Sequence, residues 1–111
     1  MAYSPYNEAL DMIDNSSGGR VGYRITYQDA GVEISQLIPN NTKQLYVAVD
    51  DKNARLKLSF QQTGTLDNGL NDYITVEYGN SYFRTGLDLN DKTLYLNSNK
   101  GSLTIEIEAW V

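Results

Sequence analysis

The sequence predicts an all-β fold: an antiparallel eight-stranded β-sandwich, of jelly-roll or double Greek-key type, with a short N-terminal helix. Three observations carry this reading. From Arg20 onward apolar and polar residues alternate with a period of two, as in strands with one buried face. Gly, Asn, Asp and Pro interrupt the alternation about every ten residues, the spacing of short strands in sandwiches and barrels. The pattern of residues 73–110 also repeats an earlier one. A shift of about 49 positions sets Ile74 and Thr75 over Ile25 and Thr26, and Asn90, Lys92, Leu94 and Tyr95 over Asn41, Lys43, Leu45 and Tyr46. After a two-residue change of register, Leu103, Ile105 and Ile107 align with Leu56, Leu58 and Phe60. The chain therefore divides into an N-terminal arm, residues 1–19, and a single β-sandwich domain, residues 20–111, built of two related four-strand units, 20–60 and 72–111. Shared strand and turn preferences are the alternative source of such a likeness.

In the arm, Ser4 can cap a helix that carries Pro5 in its first turn, where the missing proline N–H costs nothing. Tyr6, Ala9, Leu10 and Ile13 then fall at i, i+3, i+4 and i+7, and residues 15–19 stop the helix. So short a helix is marginal alone in water. It is expected to lay its apolar stripe over an open end of the β-core; docking on a neighbouring subunit is the alternative.

In the first unit Val21, Tyr23, Ile25 and Tyr27 share a face, and Asp29-Ala30-Gly31 turns the chain into residues 32–37. Pro39-Asn40-Asn41 forms a loop, because proline presets φ and Asn tolerates turn geometry. Leu45, Val47 and Val49 make the next inward row with Tyr46 opposite; after the turn at 50–53 follow Leu56, Leu58 and Phe60. Residues 61–71 connect the units and are long enough to cross between sheets. In the second unit Ile74, Val76 and Tyr78 face one way, and Gly79-Asn80 predicts a two-residue hairpin turn. Phe83 and Leu87, then Leu94 and Leu96, continue it. The last strand sets Leu103, Ile105, Ile107 and Ala109 on a dry face against Thr104, Glu106, Glu108 and Trp110 on a wet one.

Composition narrows the chemistry. The 111 residues include 9 basic and 14 acidic side chains, a net charge of −5, which disfavours nucleic acid and anionic membranes as partners. With 0 Cys there is no disulfide framework or thiolate nucleophile, and with 0 His the usual general base and commonest transition-metal ligand are missing. Ser-His-Asp and Cys-His catalysis are thereby removed, along with most zinc chemistry. No apolar run has signal-peptide or transmembrane length, so the expectation is a soluble protein made in the cytoplasm, with leaderless release as the route outward.

Three sets of residues are candidates for a site. Tyr46, Tyr95 and Trp110 point outward by alternation, and Tyr and Trp suit sugar rings and protein surfaces because each joins a flat apolar face to a polar edge. The loops holding Asp50, Asp51 and Asn53, then Asp67, Asn68, Asn71 and Asp72, then Asp88, Asn90 and Asp91 offer oxygens to sugar hydroxyls. Calcium is the one metal these loops admit. Asp and Asn are also the commonest turn residues, so turn chemistry alone accounts for them. Glu106 and Glu108, about 7 Å apart along one strand, lack the cross-cleft placement of glycosidase carboxylates. The sequence thus predicts a non-enzymatic recognition module that binds glycans or a cell-surface component through exposed Tyr/Trp and Asn/Asp-rich loops. The alternative is a self-associating structural or assembly protein, such as a virion or tail component or a subunit of a multi-component toxin. No other cofactor is implied.

Overall fold

The computed structural model describes residues 19–111, and in them eight strands follow one another: β1 (Arg20–Tyr27), β2 (Ile34–Leu37), β3 (Gln44–Val49), β4 (Leu56–Ser59), β5 (Ile74–Val76), β6 (Tyr82–Arg84), β7 (Thr93–Ser98) and β8 (Leu103–Trp110). The helix expected from Ser4 to Ile13 lies outside the described residues. Among those that are described there is no helix, and so none long and apolar enough to cross a membrane.

The strands form two four-stranded antiparallel sheets, a first in the order β1-β8-β3-β6 and a second in the order β2-β7-β4-β5. Their inner faces share one core. Leu45, Val47, Leu103, Ile105, Ile107 and Ala109 come from the first sheet, and Leu56, Leu58, Val76, Leu94 and Leu96 from the second. Alternation explains which residues these are: the burial of β8 switches residue by residue until Ala109 and Trp110, which are both buried. Every fully buried Val, Leu or Ile side chain among these contributes about 1.5–3 kcal/mol relative to exposure.

Two connections differ from the sequence expectation. Residues 61–71 do not cross between sheets, since β4 and β5 pair directly, Leu56 with Val76 and Leu58 with Ile74. They fold back over the outer face of the second sheet instead. The Gly79-Asn80 turn does make the crossing: β5 belongs to the second sheet and β6 to the first, so these strands are not a hairpin. Gly79 takes φ 74°, and Asn80 N–H donates to the Glu77 carbonyl at 3.1 Å, so a turn is present but its central residues are Tyr78 and Gly79 rather than Gly79 and Asn80. A turn signal is local, whereas the strand that the chain pairs with next is chosen by the sheet.

Tyr27 ties the β1–β2 turn to the end of β7. Its buried hydroxyl donates to the Val32 carbonyl at 2.8 Å and accepts from Ser98 N–H at 3.1 Å. Tyr27→Phe keeps the ring but strands a buried donor and an acceptor, so a loss of about 1–3 kcal/mol is expected in urea unfolding. A loss below a few tenths of a kcal/mol would mean that water replaces the hydroxyl.

Candidate functional site

The three aromatic candidates do not form one surface. Tyr46 on β3 and Trp110 on β8 lie on the outer face of the first sheet, and Tyr95 on β7 on the outer face of the second. Exchanging β1–β4 for β5–β8 turns one sheet order into the other read backwards, so positions matched between the halves fall on different sheets. The expectation of exposure also fails for two of them. Tyr46 is 5% exposed and Trp110 1%, packed with Ala48 and Phe83; Phe83 meets both rings edge-on, at 6.4 and 6.0 Å between centroids. Alternation reports which face a side chain takes, not whether something lies on that face. Tyr95 is half-buried between Ser35 and Ser59.

The loop candidates sit at opposite ends of β3, and each is engaged in holding the fold. Asp50 Oδ1 accepts from Thr104 N–H at 2.9 Å, and Asp51 accepts from Asn53 N–H and Lys100 Nζ, both at 2.8 Å. At the other end the two Asn-containing loops clasp each other: Asn41 N–H donates to Asn90 Oδ1 at 2.9 Å, and Asp91 N–H to Asn40 Oδ1 at 2.8 Å. Asn41 and Asp91 adopt φ of 64° and 55°, a conformation that Asn and Asp tolerate best among non-glycine residues. Among the described residues no group of three or more His, Cys, Asp or Glu side chains could hold a metal ion. Glu106 and Glu108 are ion-paired with Arg24 and Arg20 of the neighbouring strand.

Two of these loop carboxyls carry a pH dependence. The Lys100 ammonium and then Asn53 N–H hold Asp51 below the usual carboxylate range, and Lys43 does the same for Asp88. Because the folded-state values are depressed, these contacts stabilise the fold above the ordinary carboxylate pKa of about 4. That contribution is lost as pH falls through the lower, folded value. Side-chain NMR titration should therefore show both carboxyls protonating below the ordinary aspartate range. Midpoints at the ordinary value would mean that these surface pairs do not form in solution.

The polar side chains that do converge are on the outer face of the second sheet. Register places Lys57 of β4 between Asn97 of β7 and Thr75 of β5, with Arg55 and Asn99 at the end of the same face. The connection 61–71 rises beside them and closes a groove of about 420 Å³, in which Leu66, Asp67 and Asn68 face Arg55, Lys57, Asn97 and Asn99. Its side chains are held in place. Asn97 Nδ2 donates to the Gly31 carbonyl at 3.2 Å, Asn99 Oδ1 accepts from Arg55 N–H at 2.7 Å, and Asn99 Nδ2 donates to the Tyr78 hydroxyl at 3.2 Å. Lys57 lies 4.6 Å from the Tyr73 ring centre and Arg55 5.3 Å from that of Tyr78. The wall is anchored by Glu33, whose carboxylate accepts from Thr63 N–H at 2.7 Å, Thr65 N–H at 3.0 Å and the Thr65 hydroxyl at 2.5 Å.

A larger groove, about 540 Å³, runs beside Ala48, Val49 and the β5–β6 turn. Among the described residues its one charged side chain, Glu77, is already paired with Arg55. The smaller groove is the better candidate because cations, carboxylate and amides converge there. Of its residues, Asp67 and Asn68 were legible as part of an oxygen-rich loop. Arg55, Lys57, Asn97 and Asn99 were not: alternation puts Lys57 and Asn97 outward, but only the β4–β7 pairing makes them neighbours. Compared with known proteins, the chain has no matching family model, curated protein or solved structure.

Proposed function

We propose that this protein is a non-enzymatic recognition module that binds a glycan in the groove on the outer face of the second sheet. The observation that carries this reading is the convergence of Asn68, Asn97 and Asn99 with Arg55, Lys57 and Asp67 around a single concavity. Amides offer a donor and an acceptor side by side, which is what vicinal sugar hydroxyls require. Arg55 and Lys57 are matched by Glu77 and Asp67 at 3.0 and 3.4 Å, so the groove favours a neutral sugar over a strongly anionic one. We read the strand order as that of a jelly roll: β1 pairs with β8, β2 with β7, β3 with β6 and β4 with β5, as in one long hairpin rolled on itself. Jelly rolls serve both lectins and capsids, so the fold supports the reading without deciding it.

The test is a glycan array run with and without calcium, beside Asn68→Ala and Lys57→Ala. Loss of one or two polar contacts corresponds to about a tenfold weaker Kd for each variant. An array with no ligand under either condition would overturn the proposal.

Self-association is the second reading, favoured by Val32, just before the edge strand β2, and Leu37, the last residue of that strand, 51% and 64% exposed. On that reading the solution mass is a multiple of 12.5 kDa, and Leu37→Lys returns it to that of the monomer.

A further inference from the structure

Among the edges of the sandwich β1 stands apart. The other three edge strands, β2, β5 and β6, have 4, 3 and 3 residues, and edges so short resist pairing with another chain. β1 runs for 8 residues in unbroken register with β8, contains no proline, and has no strand along its other side among the described residues. Its two arginines do not screen that side, because Arg20 and Arg24 turn across the sheet to Glu108 and Glu106. Hydrogen-bond phase shows which backbone groups are left over. Asp50 N–H donates to the Thr104 carbonyl at 3.1 Å, so even-numbered residues of β8 bond to β3 and odd-numbered ones to β1. Val111 N–H, donating to the Gly19 carbonyl at 3.0 Å, keeps the same phase. Val21, Tyr23 and Ile25 therefore bond to β8, and the N–H and C=O groups of Arg20, Gly22, Arg24 and Thr26 point off the edge; all four residues are exposed. On the neighbouring β2 edge, by contrast, the Leu37 carbonyl is already taken by Gln36 Nε2 at 3.0 Å.

We propose that β1 pairs antiparallel with β1 of a second copy of this chain, about a two-fold axis at Tyr23, and so joins two first sheets into one. The charges select the register. An axis at Gly22 sets Arg20 against the partner's Arg24, and an axis at Arg24 sets that residue against its own copy; like charges directly opposite are destabilising. An axis at Ile25 separates the arginines but leaves Arg20 and Val21 beyond the paired segment. The axis at Tyr23 engages residues 20–26, with Arg24 opposite Gly22, which has no side chain to crowd it, and Arg20 opposite Thr26. On the core side it brings the two Tyr23 rings together and sets Val21 beside the other copy's Ile25. All three are half-buried in the single chain, and aromatic and β-branched cross-strand pairs are favourable. Val21 and Tyr23 also line a groove of about 480 Å³ with Leu37, Ile38 and Pro39, whose apolar wall this contact covers. The dimer does not depend on the glycan reading, and it gives self-association a surface and a register. The axis stands perpendicular to the joined sheet, so both second sheets lie on one side of it with their outer grooves facing the same way.

Sedimentation equilibrium of the full-length protein is expected to give twice 12.5 kDa. Arg24→Pro removes an N–H that β8 does not use, and proline is tolerated on edge strands, so the sandwich should persist while the pairing is blocked. Its mass should fall to 12.5 kDa with the β-sheet circular dichroism unchanged. A parent that is monomeric overturns the proposal and self-association together. A dimer that survives in folded Arg24→Pro overturns the β1 contact and leaves self-association to another surface. Single cysteines then read the register, in a chain that has none of its own. Under mild oxidation Tyr23→Cys should give a disulfide-linked dimer, because Cβ atoms directly opposite across the axis are about 4.5–5.5 Å apart. Thr26→Cys, exposed on the same strand but away from the axis, should not. This pair decides the matter even if Arg24→Pro does not fold: an uncrosslinked Tyr23→Cys, or equal crosslinking of both variants, rejects the proposal.

Discussion

Replacing Trp110 with alanine is expected to lower the unfolding free energy by about 3–5 kcal/mol, the range for emptying a large buried aromatic site. Trp110 is 1% exposed, meets Phe83 edge-on at 6.0 Å between ring centres, and is flanked across the sheet by Arg20 and Gln44. A domain of this size commonly has 5–15 kcal/mol in all, so the variant stands near the threshold of folding. Its folded fraction should still bind saccharide with the parent's affinity, because the groove lies on the other sheet. Urea unfolding of parent and variant, with binding measured at low temperature, checks both parts. A loss of stability under 1 kcal/mol accompanied by loss of binding would reverse the assignment and return Trp110 to the ligand site.

Glu33→Ala is expected to cost about 3 kcal/mol, since three hydrogen bonds to a charged acceptor are removed together. It should also abolish saccharide binding. Glu33 stands just before β2, and its carboxylate is what fastens Thr63 and Thr65 of the connection 61–71 to the sheet. Thr65 is fully buried, so its freed groups cannot turn to water without lifting the loop. With the loop go Asp67 and Asn68, one wall of the groove. Glu33→Gln keeps an acceptor oxygen and should fall between parent and alanine variant in both stability and affinity. Parent-like affinity in Glu33→Ala, measured where the variant is folded, would show that the loop is not part of the site.

The β8 strand and the Tyr46 position show what kind of information the sequence holds. Inward residues of β8 were legible because the side-chain period in a strand is two, and Leu103, Ile105, Ile107 and Ala109 are all buried. The same alternation set Tyr46 and Trp110 on the opposite face, correctly, and then suggested that they were exposed, wrongly. Periodicity encodes a direction and cannot register the packing of neighbouring rings such as Phe83 on that face. The loop residues Asp50, Asp51, Asn90 and Asp91 were legible as turns, and their hydrogen bonds to Thr104, Asn53, Asn41 and Asn40 show them serving as turns and clasps.

By itself, the sequence determined an all-β chain with eight strands at the expected places, the inward residues of most of them though not of β6, where Tyr82 rather than Phe83 packs on the core, and the absence of histidine and cysteine from the chain. Those properties are local or compositional, and a short window of residues contains them. The tertiary structure alone decided that β4 lies between β5 and β7, that residues 61–71 fold over the outer face, and that Lys57, Asn97 and Asp67 share one groove. Strand order depends on pairings between residues far apart in the chain. The groove is a consequence of that order, so no single stretch of the sequence could reveal it.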